Sequence, residues 1–151
     1  MANTQAMATS FKVEQLNGIH ALGTSVVRAG TGADTIKAAL YLASGSQGAA
    51  TTAYSATNEV SGTNYTAGGV TVTNATPPSS TGTTAFWTPS AALAWTNVTL
   101  STAFDAVTFY NSTQSNKAIA TFTFGSQTIT AGNLTINMPT NDSTNGLLRI
   151  A

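Results

Sequence analysis

The chain has 151 residues, a usual length for one domain, and no segment in it is long and loose enough to link two domains. Charged residues make up only 7% of the chain, and its five basic and five acidic side chains cancel. Because nucleic acids and anionic membranes both bind through clustered Lys and Arg, this composition argues against either partner. Weak charge repulsion between copies favours association, so we expect a homo-oligomer.

The residue composition also limits the cellular compartment in which the protein is made and the kinds of site that it can form. The chain contains no cysteine, which excludes disulfides and thiolate metal sites. Its first residues lack the basic and apolar regions of a signal peptide, and no stretch approaches the roughly 20 apolar residues of a membrane span. About one residue in five is Thr, whose branched Cβ suits the pleated surface of strands. We therefore expect a soluble, β-rich protein made in a cytoplasm.

The first part of the chain is predicted to be an arm followed by a helix. Residues 1–10 are small and polar and predict an extended arm, either frayed or laid on a neighbouring molecule. Ser10 can cap a short helix over residues 11–22, and Gly23 is well placed to end it. Gly18 disfavours this helix, because glycine is a poor helix former.

The middle of the chain is predicted to contain two strands separated by a long loop. Residues 34–44 alternate apolar and polar positions and predict a core strand. Residues 54–69 carry turn residues around a single carboxylate, Glu59. Alternating Val and Thr over residues 70–73 predict the second strand, and residues 74–82 stop it because their prolines cannot donate to a ladder.

The plainest strand, turn, strand unit in the sequence lies at residues 103–125. Apolar residues alternate with polar ones in its two arms, and the segment between the arms is purely polar. This pattern predicts a β-hairpin with one face for a core. Phe109, Phe122 and Phe124 are expected in that core.

Short alternating segments on either side of the hairpin complete the set of predicted strands. They lie at residues 83–87, 92–101, around 129, 133–139 and 146–151. Eight or nine short strands with one helix at the front predict an all-β fold, an antiparallel β-sandwich that is jelly-roll-like or of a related topology. Residues 11–151 are expected to form this single domain, preceded by the arm at residues 1–10.

No constellation of catalytic or metal-binding residues is apparent in the sequence. The only histidine is His20, and the nearest acidic residue in sequence, Glu14, is six positions away, so we expect a structural role in packing or capping. We interpret Asp105 as a charge at a sheet edge or an interface, where it would prevent mispairing with other strands. Folding could join two carboxylates into a glycosidase-type pair, but nothing supports one. The carboxylates concerned are far apart in sequence: Asp34, Glu59, Asp105 and Asp142.

The glycine-rich stretches and the aromatic residues are the other features of the sequence that could form a binding site. The AGTGAD stretch lacks the glycine that a dinucleotide fingerprint requires, because Thr35 stands there, and G-x-S-x-G does not occur. Aromatic rings could form a platform for sugars, but core filling is the expected use of most of them. Tyr54 and Tyr65 are the exceptions, because they lie in the loop-like segment. No catalytic, cofactor-binding or metal-binding residue is predicted.

Five segments, taken in order, carry a resemblance to a known family: SFKVEQLNGIHALG, ADTIKAALYLAS, TTAYSATNEVSGTNYTAGGVTVTN, DAVTFYNSTQSNKAIATFTFG and TITAGNLTINMPTNDSTNGLLRIA. Together they resemble a family of small structural proteins of tailed-bacteriophage virions. Its members share an opening like SFK-x-E-x-L-x-G, a strand like DT-x-KxALY, a loop like YSATNEVSGTxYTAGG and an IRIA-like ending. The resemblance covers nearly the whole chain and is most specific at residues 54–69 and 105–125. The chain departs from the family in Leu148, which precedes Arg149, and in a longer TGAD entry to the first strand.

The resemblance implies a non-enzymatic virion protein that needs no cofactor and is assembled in the host cytoplasm. Small all-β phage proteins commonly decorate or cement capsids, so the expected function is capsid decoration through binding to the major capsid protein. A neck, tail or fibre component is an alternative within the virion, and a carbohydrate-binding module is an alternative from another class. The candidate partner contacts lie in the loop and near the start of the predicted helix: Tyr54, Glu59, Tyr65, Phe11 and Lys12.

Overall fold

The chain folds into two antiparallel β-sheets and one short helix, and the computed structural model describes residues 2–16, 18–22 and 33–151. This confirms the predicted all-β class and sandwich-like architecture. The predicted helix end at Gly23 lies outside the described residues. The elements are β1 Ala6–Met7, α1 Thr9–Leu16, β2 Ile36–Leu42, β3 Val70–Thr71, β4 Ser79–Thr81, β5 Thr84–Trp87, β6 Leu93–Asn111, β7 Lys117–Ile136 and β8 Leu148–Ile150.

The two sheets share one hydrophobic core. The larger sheet has the strand order β1-β7-β6-β2-β3, and the smaller has the order β4-β5-β8. The core cluster includes Leu40 from β2, Phe109 from β6, and Trp87 and Leu148 from the smaller sheet. Phe11 of α1 belongs to the same cluster, so the helix closes one side of the core. No helix among the described residues is long and apolar enough to cross a membrane.

The predicted hairpin is confirmed, and it is much longer than predicted. β6 ends at Asn111 and β7 begins at Lys117, with a polar turn between them. The two strands stay paired down to Leu93 opposite Ile136. Several register shifts interrupt this pairing, as bulges that bend a ribbon do. The segments predicted as separate strands at residues 92–101, around 129 and at 133–139 therefore fall in its lower half.

The hairpin buries both faces near its tip, so the prediction of a single core face is wrong. Thr108 and Tyr110 alternate with the core residues Val107 and Phe109 and so lie on the other face of β6, yet they are 0% and 2% exposed. In β7 the alternation breaks at Ile119, because Phe109 pairs with the residue after it and Tyr110 with the residue before it. Ile119 is the extra residue of this bulge and is fully buried.

The three phenylalanines expected in the core lie in or against it. Phe109 is 1% exposed, whereas Phe122 and Phe124 are partly buried and pack against the core. Phe109 and Phe122 meet edge to face with ring centroids 5.6 Å apart, and Phe104 and Phe124 do so at 5.9 Å. This geometry is the one that aromatic pairs prefer.

The helix is shorter than predicted and starts earlier. It ends at Leu16, because Gly18 adopts a φ of 66° and the amides of Gly18 and Ile19 bond back to the carbonyls of Gln15 and Glu14. This is the Schellman arrangement, in which a left-handed glycine stops a helix. Ser10 lies inside the helix rather than at its cap, and its buried hydroxyl has no hydrogen-bond partner among the described residues.

The short edge strand β4 was not predicted from the sequence. β4 occupies Ser79–Thr81 within the segment predicted to be a stop, and it pairs with β5 across a turn at Gly82. All three residues of β4 are polar and exposed, so they carry no alternation that a sequence pattern could detect. The prolines precede the strand rather than interrupting it, which is where an edge strand tolerates them.

The N-terminal arm lies on the chain's own sheet. β1 pairs with β7, with Ala6 opposite Thr121. Asn3 is 8% exposed; its Nδ2 donates to the carbonyl of Leu42 and, at 2.6 Å, to Asp105 Oδ1. The interpretation of Asp105 as an edge charge is wrong. Asp105 lies on β6, which is an inner strand between β7 and β2, and the Asp105 carboxylate holds the arm through Asn3.

Candidate functional site

The segment at residues 51–69, which contains the predicted contact loop at residues 54–69, is fastened along the outer face of the larger sheet. Its backbone forms isolated bridges at three points, pairing Ala53 with Lys117, Glu59 with Tyr41 and Thr63 with Thr99. We call this segment the covering loop. It is the reason that Tyr41 and other residues on the second face of the sheet are buried.

Glu59 is the centre of the contacts beneath the covering loop. Its Oε2 accepts a hydrogen bond from the Tyr54 hydroxyl at 2.6 Å. Its Oε1 accepts from the Tyr65 hydroxyl at 2.8 Å and from the Gly68 amide at 2.7 Å. Both carboxylate oxygens are therefore engaged by residues of the loop itself.

All four tyrosines of the chain gather around this carboxylate. Tyr41 donates to the Ser55 carbonyl and Tyr110 to the Gly68 carbonyl, each at 2.7 Å. The rings of Tyr54 and Tyr110 stack with centroids 4.7 Å apart and planes 20° apart. We call Glu59 and the four tyrosines the tyrosine cluster. It joins β2 and β6, which supply Tyr41 and Tyr110, to the covering loop.

The tyrosine cluster is a set of protonated donors around one acceptor. Burial raises the pKa of Tyr41, Tyr65 and Tyr110 above the ordinary value. Burial also raises the pKa of Tyr54, and its hydrogen bond to Glu59 adds to the effect. The phenols thus stay protonated near neutral pH and hold the carboxylate in place. This arrangement suits fastening rather than proton transfer or nucleophilic attack.

Two glycines let the covering loop approach the sheet closely. Gly69 has a φ of 69°, and a Cβ there would overlap the carbonyl of Ala38. A Cβ at Gly62 would overlap the carbonyl of Thr99. The glycines at these positions are therefore required by contact with the backbone of β2 and β6.

A second cluster of titratable residues lies at the hairpin tip. Glu14 of α1 contacts His20 Nε2 through Oε2 at 2.8 Å and Lys117 Nζ through Oε1 at 2.6 Å. Burial by itself would raise the pKa of Glu14, but the hydrogen bonds from Lys117 and His20 outweigh it and lower the pKa below the ordinary value. The cluster joins the helix to the first residue of β7.

The hydrogen-bond network assigns the donor nitrogen of His20. Asn111 Oδ1 accepts from the amides of Thr113 and Gln114, which orients its Nδ2 toward His20 Nδ1 at 3.1 Å. An amide nitrogen only donates, so Nδ1 accepts and Nε2 carries the hydrogen given to Glu14. Both ring nitrogens are engaged and the side chain is 0% exposed, so His20 is built into the fold.

Sequence reasoning missed the contact between Glu14 and His20. A helix through residue 22 would rotate residues six positions apart onto different sides, so no contact was expected. Because the helix ends at Leu16 and Gly18 reverses the chain, His20 folds back onto Glu14. Gly18 was the only signal in the sequence that could have indicated this turn.

The predicted partner contacts fall into two places. Tyr54, Glu59 and Tyr65 come together in the tyrosine cluster, with the two tyrosines and the carboxylate partly buried. Phe11 and Lys12 lie on α1. Phe11 is 1% exposed, and its ring packs against the His20 ring with centroids 4.8 Å apart. Phe11 is therefore part of the core of this chain, whereas Lys12 is exposed.

An apolar cavity of about 220 Å³ lies between α1 and the smaller sheet. Its walls include Phe11, Leu22 and Trp87, and the only polar side chains among its described lining residues are Gln15 and His20. Apolar pockets are common ligand sites, but they need polar groups to orient a ligand, and the nitrogens of His20 are already engaged. No three His, Asp or Glu side chains of the described residues could hold a metal ion together.

Comparisons of the chain with protein-family models, with curated proteins and with solved structures find no match. The chain is a sandwich-like β-protein, and the polar atoms of its two described titratable clusters bond to groups of the chain itself.

Proposed function

We propose that this chain is a non-enzymatic structural protein of a bacteriophage virion, and specifically a capsid decoration or cement protein that binds the major capsid protein. The observation that carries the proposal is the covering loop. Its residues 55–58 and 61–64 are exposed and uncharged, while the tyrosine cluster fixes the loop from beneath. A surface that is already ordered loses little entropy when a partner binds it.

The two clusters of titratable residues also favour a structural role. In each of them the polar atoms bond to one another, at Glu59 under the covering loop and at Glu14 beside the hairpin tip. A catalytic carboxylate or imidazole needs an atom directed at a substrate. In these clusters the carboxylate oxygens and the ring nitrogens are directed at the protein.

Two alternatives differ from the proposal in where the protein sits and what it binds. A neck, tail or fibre component would use the same uncharged loop surface and would differ in its position on the particle. A carbohydrate-binding module would need an aromatic face open to a sugar ring. Tyr54 stacks one face on Tyr110, and the hydroxyl of Tyr65 bonds to Glu59 and to the Leu40 amide. These contacts support the virion alternatives over sugar binding.

The proposal is tested by adding purified protein to particles that lack it. We expect saturable binding to the capsid. A Thr57→Lys, Ser61→Lys double variant should lose about tenfold or more in affinity, because both positions are exposed on the covering loop. The matched control, Asn137→Lys with Thr140→Lys, adds the same charge at exposed positions outside the loop and should bind like the wild type.

Two outcomes would overturn the proposal. One is binding of the wild type to isolated tails and not to capsids, which would move it to the neck or tail. The other is equal loss of binding in the loop variant and in the control, which would remove the covering loop from the interface.

A further inference from the structure

One long sheet edge is left unpaired within the described chain. β1 covers the outer edge of β7 near Thr121, and the covering loop and Ala43 bond to β6 at Thr99 and Ala103. From residue 127 to residue 136, by contrast, β7 hydrogen-bonds only to β6 among the described residues. We call residues 127–136 the open edge.

The open edge lacks most of the devices that usually protect an edge strand. Its sequence, QTITAGNLTI, contains no charge and no proline, and neither does the part of β6 that pairs with it. Soluble proteins commonly place Lys or Pro on such edges to prevent pairing with other chains. The other outer strands of the two sheets, β1, β3, β4 and β8, have only two or three residues each, and β8 carries Arg149.

We propose that the open edge pairs with the open edge of a second copy of this chain, in an antiparallel two-fold arrangement. A two-fold interface places the same segment opposite itself. Thr, Asn and Gln side chains both donate and accept hydrogen bonds, so the segment is complementary to its own copy. A charged edge would repel its copy, whereas this one does not.

A bulge sets the strength of this pairing. Ala131 has a φ of 46°, and the register shifts between the Val98–Gly132 and Leu100–Ile129 pairs. The bulge divides the open edge into two short runs, so few consecutive bonds can form across the two-fold axis. The dimer is therefore weak and depends on concentration in isolated protein. On a particle, where neighbouring copies are held close together, the same contact is reinforced.

The test measures self-association of the purified chain by sedimentation from about 1 µM to about 1 mM. We expect a monomer–dimer equilibrium within this range. A Thr128→Lys, Thr130→Lys double variant should weaken the dimer about tenfold or more, because the added like charges of the two copies would be brought close together at the shared edge. The matched control, Ser101→Lys with Thr102→Lys, puts the same charge at exposed positions of β6, one strand in from the edge, and should dimerise like the wild type.

Hydrogen exchange of the wild-type protein tests the same contact without a variant. Amides of the open edge should exchange more slowly as concentration rises, while those of β4 should not change. The proposal is overturned if the wild type stays monomeric to about 1 mM. It is also overturned if slowing appears in another segment and not in the open edge. Because no particle is present, failure here leaves capsid binding through the covering loop untouched.

Discussion

At the residue scale, Glu59 holds the covering loop against the larger sheet, although the loop is not a strand of that sheet. One carboxylate accepts from Tyr54, from Tyr65 and from the Gly68 amide. Hydrogen bonds to a charged acceptor are stronger than neutral ones, and a partner left unpaired in a buried place costs free energy. The attachment of the covering loop therefore depends on this side chain.

Replacing Glu59 by Ala should lower the free energy of unfolding by about 2 to 3 kcal/mol, because three donors lose their acceptor. Replacing Tyr54 by Phe removes only one donor and should cost about 1 kcal/mol. Both values come from denaturant titration at neutral pH. Equal stabilities of the Glu59→Ala variant and the wild type would show that the tyrosine cluster does not fasten the loop.

Two glycines with similar backbone angles form a matched pair for a second prediction. Gly69 and Gly82 have φ values of 69° and 60°, but only at Gly69 does a Cβ meet backbone, at Ala38. Gly82→Ala should lose about 1 kcal/mol for its left-handed conformation. Gly69→Ala should lose more and should increase hydrogen exchange in residues 51–69. A smaller loss at Gly69 than at Gly82 would contradict the close approach of loop and sheet.

At the element scale, α1 is held to the hairpin tip by the contacts of Glu14 with His20 and Lys117. Because the folded pKa of Glu14 lies below its ordinary value of 4.5, the unfolded chain binds the proton more tightly. The contribution of Glu14 to stability is thus fully present above that value and is lost as the pH falls through the folded pKa.

A Glu14→Gln variant should therefore flatten the dependence of stability on pH as the pH falls below the ordinary value of 4.5. The control, Lys12→Gln, changes an exposed charge on the same helix and should keep the wild-type slope. The free energies of unfolding of the wild type and of both variants, measured across this pH range, test the prediction. A Glu14→Gln slope equal to that of the wild type would mean that the contacts with Lys117 and His20 do not stabilise the fold.

Elements with strict alternation were the ones that the sequence pattern could predict. β2, β5, β8 and the hairpin follow from apolar residues at every second position, which is the side-chain period of a strand. α1 was misjudged because a Schellman turn at Gly18 looks in sequence like a glycine inside a helix. β4 was missed because an exposed edge strand needs no apolar residues at all.

At the scale of the whole molecule, burial on both faces of the larger sheet could not be predicted. The second face is covered by an irregular segment with no period, whose attachment depends on Glu59 and tyrosines distant in sequence from it, such as Tyr110. The sequence did single out Tyr54, Glu59 and Tyr65 as a group. It could not show that their polar atoms face the fold, because side-chain direction in a loop is set by the contacts that the loop makes.

The covering loop and the open edge together suit a protein that works as one of many copies on a surface. The first offers a fixed, uncharged patch to a partner, and the second offers a strand edge to a neighbouring copy. Low overall charge allows copies to lie close together. Both features belong to the intact molecule, since each depends on the pairing of β6 with β7.

The number of copies of this chain in each purified virion tests the proposed function most directly. Quantified protein bands, scaled to the major capsid protein, give that number. A capsid decoration protein should be present in the hundreds, in a fixed ratio to the capsid subunit. The proposal would be contradicted if each virion held only as many copies as one ring of subunits in a neck or tail. It would also be contradicted if the chain were absent from purified virions.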